Sequence, residues 1–117
     1  MTTPDMPLEA LQDKARQAAQ LLKAMSNEHR LLILCQLTQG ERSVGALEQV
    51  VGLSQSALSQ HLARLRQDQL VTTRRSAQTI YYSLHGEAVQ AVIGTLYQLY
   101  CPASPTVEAL DAATQTQ

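Results

Sequence analysis

The segment from Leu53 to Leu65 constrains the fold of this chain more than any other. Read as a helix, it places its apolar residues on one side and most of its polar residues on the other. The apolar side consists of Ala57, Leu58, Leu62 and Leu65, and the polar side consists of Gln55, Ser56, Ser59, Gln60 and Arg64. Ser54 can cap the first turn, and Gly52 before it permits a tight turn. One face can pack while the other makes hydrogen bonds, which is typical of the DNA-reading helix in a helix-turn-helix.

The length and composition indicate one globular domain. A chain of 117 residues is long enough for a single modest core but fits no second independent domain. Hydrophobic residues make up 44% of the chain and charged residues 16%, whereas Trp and Phe are absent. We therefore expect a core of Leu, Val, Ile and Ala.

The positive charge of the chain is concentrated near the proposed DNA-reading helix. A net charge of −1 and a sequence pI of about 6.3 argue against a chain that coats nucleic acid nonspecifically. Residues 54 to 84 contain four arginines and a single carboxylate, Asp68, so this segment carries +3 and the remainder of the chain carries −4. The four are Arg64, Arg66, Arg74 and Arg75.

Helical periodicity predicts three further helices before the turn. Residues 1–7 contain two prolines and are expected to form a flexible arm, and an amphipathic helix should follow from Leu8 to Met25. Asn27 can cap a strongly apolar core helix over residues 28–37, and Ser43 can cap a short helix over residues 44–51.

After Leu70 the pattern changes from helical periodicity to alternation. Residues 71–75 and 79–84 are β-branched and aromatic runs, which predict a hairpin with Gln78 at its tip. A last helix over residues 86–100 is apolar over much of its circumference, so we expect it to form a dimer interface with the first helix. Residues 102–117 should be a disordered tail. The predicted fold is mainly α with a small two-stranded β-wing: a winged helix-turn-helix over residues 8–101, dimerised through its first and last helices.

Eight polar residues are candidates for DNA contact. Glutamine can bond adenine in the major groove, serine can bond a base edge or a phosphate, and arginine can bond guanine or the backbone. In a strand, Arg74 and Arg75 point to opposite faces, so at most one of them faces a given surface. The alternatives are an ordinary solvated helix face and ordinary exposed arginines on a hairpin, and His61 is expected to pack rather than to read bases. The eight candidates are Gln55, Ser56, Ser59, Gln60, Arg64, Arg74, Arg75 and Gln78.

The two cysteines, Cys35 and Cys101, lie far apart in the sequence. No apolar run approaches the roughly 20 residues of a membrane span, and the first residues lack the pattern of a signal peptide. We therefore expect a cytoplasmic protein without a membrane partner. Because that compartment is reducing, a bond between the cysteines would be conditional rather than permanent.

Three stretches in this order resemble the ArsR-type winged-helix repressors. Residues 21–35 look like the family's entry into its second helix, residues 52–62 look like its recognition helix, and residues 78–84 look like its second wing strand. The likeness extends from Ala18 to Pro102. A cysteine in Leu34-Cys35 and another in Tyr100-Cys101-Pro102 are similar to the dithiol branch typified by BigR, SqrR and HlyU.

The resemblance implies a homodimeric repressor without a cofactor or enzymatic activity. Such a repressor binds a pseudo-palindromic operator in its reduced form. A reactive sulfur species or another thiol oxidant releases it by modifying Cys35 and Cys101. The metal-sensing branches match less well, because the helix before the recognition helix has no cysteine pair and the last helix has only His85 and Glu87 at its start.

Three alternatives stay open at this point. A metal(loid)-responsive repressor of the same fold would bind zinc or arsenite through Cys35 or Cys101 with His or carboxylate partners. The chain lacks the residues that a thiol enzyme would need, since it has no Cys-x-x-Cys, no histidine close in sequence to either thiol and no Gly-rich phosphate loop. A winged helix used only for protein contacts would show no salt-dependent binding to a promoter.

Overall fold

The computed structural model describes residues 6–101, which form five helices and three strands. Residues 1–5 of the predicted arm and the whole predicted tail, residues 102–117, lie outside the described part of the chain. In chain order the elements are α1 (Leu8–Met25), α2 (Glu28–Leu37), β1 (Arg42–Ser43), α3 (Val44–Val51), α4 (Gln55–Gln67), β2 (Val71–Ser76), β3 (Thr79–Leu84) and α5 (Glu87–Tyr100).

Three helices begin at the capping residues that the sequence predicts. Asn27 Oδ1 accepts two backbone N–H groups of α2 at 2.9 and 3.1 Å. Ser43 Oγ accepts one from α3 at 3.1 Å, and Ser54 Oγ accepts one from α4 at 3.2 Å. Each cap satisfies donors that the first helical turn leaves without an intrahelical partner, so the starts of α2, α3 and α4 are defined locally.

The turn after α4 uses a residue in the left-handed conformation. Gln69 has φ 62°, and its N–H donates to Arg66 O at 3.0 Å. The next N–H, of Leu70, donates to Leu65 O at 2.9 Å. These two bonds define a Schellman motif, which satisfies the last carbonyls of α4 and directs the chain into β2.

The sheet has three strands, with β3 between β1 and β2 and both pairings antiparallel. The predicted two-stranded wing is confirmed as the β2–β3 hairpin, hereafter the wing, and Ala77 in its two-residue turn has φ 55°. The short strand β1 is an addition, pairing Arg42 with Tyr82 and Ser43 with Tyr81. Two residues are too few to produce an alternating pattern, so the sequence gives no sign of β1.

The core is aliphatic, as the composition predicts. It joins α2 to α4 and α5, and three leucines on the inner side of α4, Leu58, Leu62 and Leu65, are almost completely buried. These leucines fix the rotation of α4 about its axis and leave its polar side outside. The buried residues are Ala24, Met25, Ile33, Leu34, Leu37, Leu47, Val51, Leu58, Leu62, Leu65, Leu70, Val71, Val89 and Ile93.

Helices α1 and α5 carry apolar surface that the other described residues leave exposed. Every side chain of α1 from Leu11 to Gln20 is exposed, and Leu22 is 55% exposed. At the end of α5, the exposed fraction is 66% for Leu99 and 80% for Tyr100. Within residues 6–101, no helix combines the length and the apolar character that crossing a membrane requires.

Candidate nucleic-acid interface and dithiol site

The outer side of α4 is a continuous polar surface. Gln55, Ser56, Ser59 and Gln60 are all exposed in the first two turns of the helix. No side chain of another element holds them through a hydrogen bond among the described residues, so their donors and acceptors are available to a ligand.

A cleft between α3, α4 and the wing brings together residues from all three, including the Glu48 carboxylate of α3. Gln55 and Ser59 line its α4 side, whereas Gln78 and Ile80 line its wing side. Three of the predicted contact residues therefore share one concave surface, although they are distant in sequence. An extended polar ligand that crosses this cleft can contact the helix and the wing at once.

Arg66 also lines this cleft, although the sequence analysis counted it only as part of the local positive charge. It lies seven residues after Ser59 and eleven after Gln55, which is close to two and three helical turns. The three residues therefore form one side of α4, which we name the cleft flank: Gln55, Ser59 and Arg66. The helical spacing alone could have identified Arg66 as a candidate. Within residues 6–101 no carboxylate pairs with it, so its charge is available to an anionic ligand.

Arg64 lies on the opposite flank of α4. Its Nε donates to Asp68 Oδ2 at 2.6 Å, an i,i+4 pair on the same helix. Burial, followed by repulsion from Arg64, lowers the pKa of the Arg30 guanidinium on α2. Arg66 lines the cleft and Arg64 does not, so Arg66 is the better-placed arginine of this helix for a ligand in the cleft.

The two wing arginines have different surroundings. Arg74 forms two hydrogen bonds with the Glu41 carboxylate, at 2.7 and 3.0 Å, and its guanidinium carbon lies 4.5 Å from the centre of the Tyr81 ring. Arg75 is exposed and has no such pair among the residues that the structure describes. Gln78 is exposed in the turn between the strands, at the predicted position.

His61 lies where α4 meets α2. Its ring centre is 5.8 Å from that of His29, and its Nδ1 is 3.4 Å from Nη1 of Arg30, whose Nε donates to Ala24 O at 2.7 Å. Partial burial, with repulsion from Arg30 and His29, lowers the pKa of His61. The histidine is thus a helix-packing residue, as the sequence predicts.

The two cysteines belong to elements that pack on each other. Cys35 is half-buried on α2, and Cys101 is the exposed residue that directly follows α5. Helix α2 contacts α5, and both thiols are free. Burial raises the pKa of the Cys35 thiol, and the negative charge of a Cys101 thiolate raises it further. Both cysteines therefore lie at the packing of α2 against α5, and both causes disfavour the Cys35 thiolate.

A metal centre would need several convergent ligands. Across residues 6–101, no three side chains of His, Cys, Asp or Glu lie close enough together to hold a metal ion.

Comparisons with known proteins identify the family of this chain. The model of the arsR family of bacterial regulatory proteins matches residues 27–73. The chain is 52% identical over 99 residues to the transcriptional activator HlyU of Vibrio cholerae, which covers 85% of this chain and 92% of HlyU. It is 54% identical over 96 residues to the HTH-type transcriptional regulator YgaV of Escherichia coli, covering 81% of this chain and 97% of YgaV.

Solved structures agree in fold as well. The structure of reduced HlyU from Vibrio cholerae matches with a TM-score of 0.77 at 53% identity, covering 80% of this chain and 99% of that one. The transcriptional repressor BigR from Xylella fastidiosa matches with a TM-score of 0.75 at 40% identity, covering 82% and 98%. The chain therefore belongs to the ArsR family of bacterial transcriptional regulators. Its relatives are regulators rather than enzymes, which confirms the prediction that it is not an enzyme.

Proposed function

We propose that this protein is a homodimeric transcriptional repressor that binds a pseudo-palindromic operator and is released by modification of Cys35 and Cys101. The observation that carries the DNA-binding part is the exposed polar side of α4 beside the cleft and the wing. Helix α4 enters the major groove, where glutamine and serine bond base edges. Arg66 and Arg75 bond phosphates on either side of the cleft. Repression is favoured by the resemblance to BigR, which is named as a repressor.

A second copy of the chain covers the apolar surface of α1 and α5. The exposed residues of that surface would leave a large apolar patch in water if the protein were a monomer. A two-fold dimer places two copies of α4 about one helical turn of DNA, or a multiple, apart. The operator then has the symmetry of the protein. The residues that support this interface are Leu8, Leu11, Leu22, Tyr97, Leu99 and Tyr100.

The release reaction uses the two thiols in sequence. One cysteine thiolate attacks the outer sulfur of a persulfide, RSSH, gaining that sulfur and expelling RSH. The second thiolate attacks the protein-bound sulfur of the new Cys–S–SH group and expels HS⁻, which leaves a Cys35–Cys101 disulfide. If a second persulfide first extends the group to Cys–S–S–SH, the second thiolate attacks the middle sulfur and expels HS⁻, which leaves a bridge with one additional sulfur. The two thiols lose two electrons, and the sulfane sulfur gains them as HS⁻.

Because the thiolate is the nucleophile, the raised pKa of Cys35 slows its reaction with peroxide and persulfide alike, so selectivity for a sulfur donor must come from the geometry of the bridge. A direct disulfide requires Cα atoms within roughly 7 Å, whereas a longer sulfur bridge spans a wider gap with less backbone movement. The bridge moves α5 relative to α2, and the distance between the two copies of α4 changes with it, so the dimer leaves its operator.

Operator binding is tested by fluorescence anisotropy with a labelled promoter of the protein's own gene. The wild type should bind with an affinity that falls as salt rises, and the double variant Gln55→Ala/Ser59→Ala should bind more weakly. Gln20→Ala, on the exposed side of α1, is the matched control and should bind as the wild type does. Equal affinity of the double variant and this control would exclude α4 as the helix that contacts DNA.

Release is tested in the same assay with a persulfide donor. Cys35→Ser and Cys101→Ser should bind the operator as the reduced wild type does and should stay bound after treatment. Dissociation of the Cys35→Ser protein under persulfide would exclude the dithiol mechanism while leaving the DNA-binding assignment intact.

A further inference from the structure

The pairing of β2 with β3 assigns the two wing arginines to opposite faces of the sheet. Directly paired residues share a face, and successive residues alternate. Arg75 pairs with Ile80, whose side chain lines the cleft beside α4. Arg74 pairs with Tyr81, on the face that points away from the cleft. Arg75 is therefore the wing arginine on the side of α4.

The side chain of Arg74 crosses the sheet. It starts on β2, lies over the Tyr81 ring of the central strand β3, and ends at Glu41, which directly precedes β1. Both carboxylate oxygens of Glu41 are used, one by Nη2 at 2.7 Å and one by Nε at 3.0 Å. This two-bond pairing fixes the orientation of a guanidinium more strictly than a single contact does. It also lowers the pKa of the Glu41 carboxyl, so the pair is ionised at neutral pH.

The two strands of the wing differ in their attachments, because β3 packs against α2 and α3 and pairs with β1. The outer strand β2 contacts α4, but its second half is exposed from Arg74 to the turn. Strand β1 is only two residues long and pairs with β3 on the other edge. The Arg74 side chain is thus a tie across β3 that joins the outer strand of the wing to the segment before β1.

We propose that Glu41 and Arg74 are positioning residues that hold the wing at a fixed angle to α4, so that Arg75 is the wing arginine that meets DNA. This proposal rests on the proposed function, because it assigns roles within the same DNA-binding surface. The opposite arrangement would have Arg74 as a phosphate ligand that Glu41 holds back. The two arrangements predict opposite effects when Glu41 is removed. If Glu41 competes with DNA for Arg74, its removal increases DNA affinity. If Glu41 holds the wing in place through Arg74, its removal decreases DNA affinity.

Exchanging the two charges tests the tie directly. Arg74→Glu should weaken operator binding about tenfold, because two carboxylates then repel at the base of the wing. The double variant Glu41→Arg/Arg74→Glu restores the ion pair and should return to within about threefold of the wild type. A double variant as weak as Arg74→Glu would overturn the proposal, because a phosphate ligand cannot be replaced by glutamate. Tighter binding of Glu41→Ala than of the wild type would overturn it too.

A measurement without DNA separates this proposal from the DNA-binding assignment. In the free protein, Glu41→Ala should speed amide hydrogen exchange in β2 and β3, whereas Arg75→Gln, on the same strand, should leave it unchanged. Unchanged exchange in Glu41→Ala would refute the tie, even if the protein binds its operator as expected. Failure of the wild type to bind any promoter would instead refute the proposed function, while the exchange experiment would still decide whether the tie exists.

Discussion

Replacing Arg66 by glutamine tests whether the cleft flank contacts phosphate. Each neutralised phosphate contributes about 0.9 to the slope of log K against log salt concentration. The proposed homodimer would present two copies of Arg66, so Arg66→Gln should make this slope shallower by about 1.8. Between about 50 and 200 mM salt, the ratio of wild-type to variant affinity should then shrink about twelvefold. The loss should be similar for operator variants of different sequence, because a phosphate contact carries no base information.

Arg64→Gln is the matched comparison, because it removes the same charge from the same helix. The Arg64 guanidinium is engaged by Asp68 at 2.6 Å on the flank that faces α2. Its loss should therefore change the slope by clearly less than the loss of Arg66. Anisotropy titrations of both variants and the wild type at four or more salt concentrations give the slopes. An Arg66→Gln slope equal to that of the wild type would refute the placement of Arg66 at the DNA backbone.

Three further predictions concern the fold. Gln69→Gly removes a left-handed non-glycine residue at φ 62°, so it should stabilise the protein by about 1 kcal/mol and raise its Tm by about 4 °C at fixed protein concentration; a lower Tm would contradict this. The pKa of His61 is lowered below 6.5, so the folded state binds fewer protons than the unfolded state. Its contribution to stability is full above that pH and is lost as the pH falls, and His61→Gln should flatten this decline in pH-dependent urea unfolding. Leu22→Glu/Leu99→Glu should sediment as a monomer while Gln20→Glu stays dimeric, and a dimeric double variant would exclude the α1 and α5 interface.

Local signals in the sequence were sufficient to predict the helices and the wing. The starts of α2, α3 and α4 follow from Asn27, Ser43 and Ser54, each of which caps donors two or three residues away. The rotation of α4 follows from the spacing of its leucines. These features depend on neighbours within one or two helical turns, so periodicity and capping chemistry predict them.

Contacts between distant segments could not be predicted in this way. Glu41 and Arg74 are separated by 33 positions, and nothing in either local pattern indicates the other. Strand β1 forms only because β3 offers it a partner. Arg66 could be predicted only in part. Its helical spacing from Ser59 shows in the sequence that the two residues share one side of α4, but only the folded wing shows that this side lines a cleft.

The dithiol mechanism is tested most directly when the state of the thiols and the operator affinity are measured in one sample. Aliquots of the reduced wild type are treated with increasing persulfide donor, then divided between intact-protein mass spectrometry and anisotropy with the promoter fragment. The fraction of protein released from DNA should rise together with the fraction that carries a bridge between Cys35 and Cys101, and an equal dose of peroxide should give little of either. Release without a bridge, or a bridged protein that still binds the operator, would contradict the dithiol mechanism.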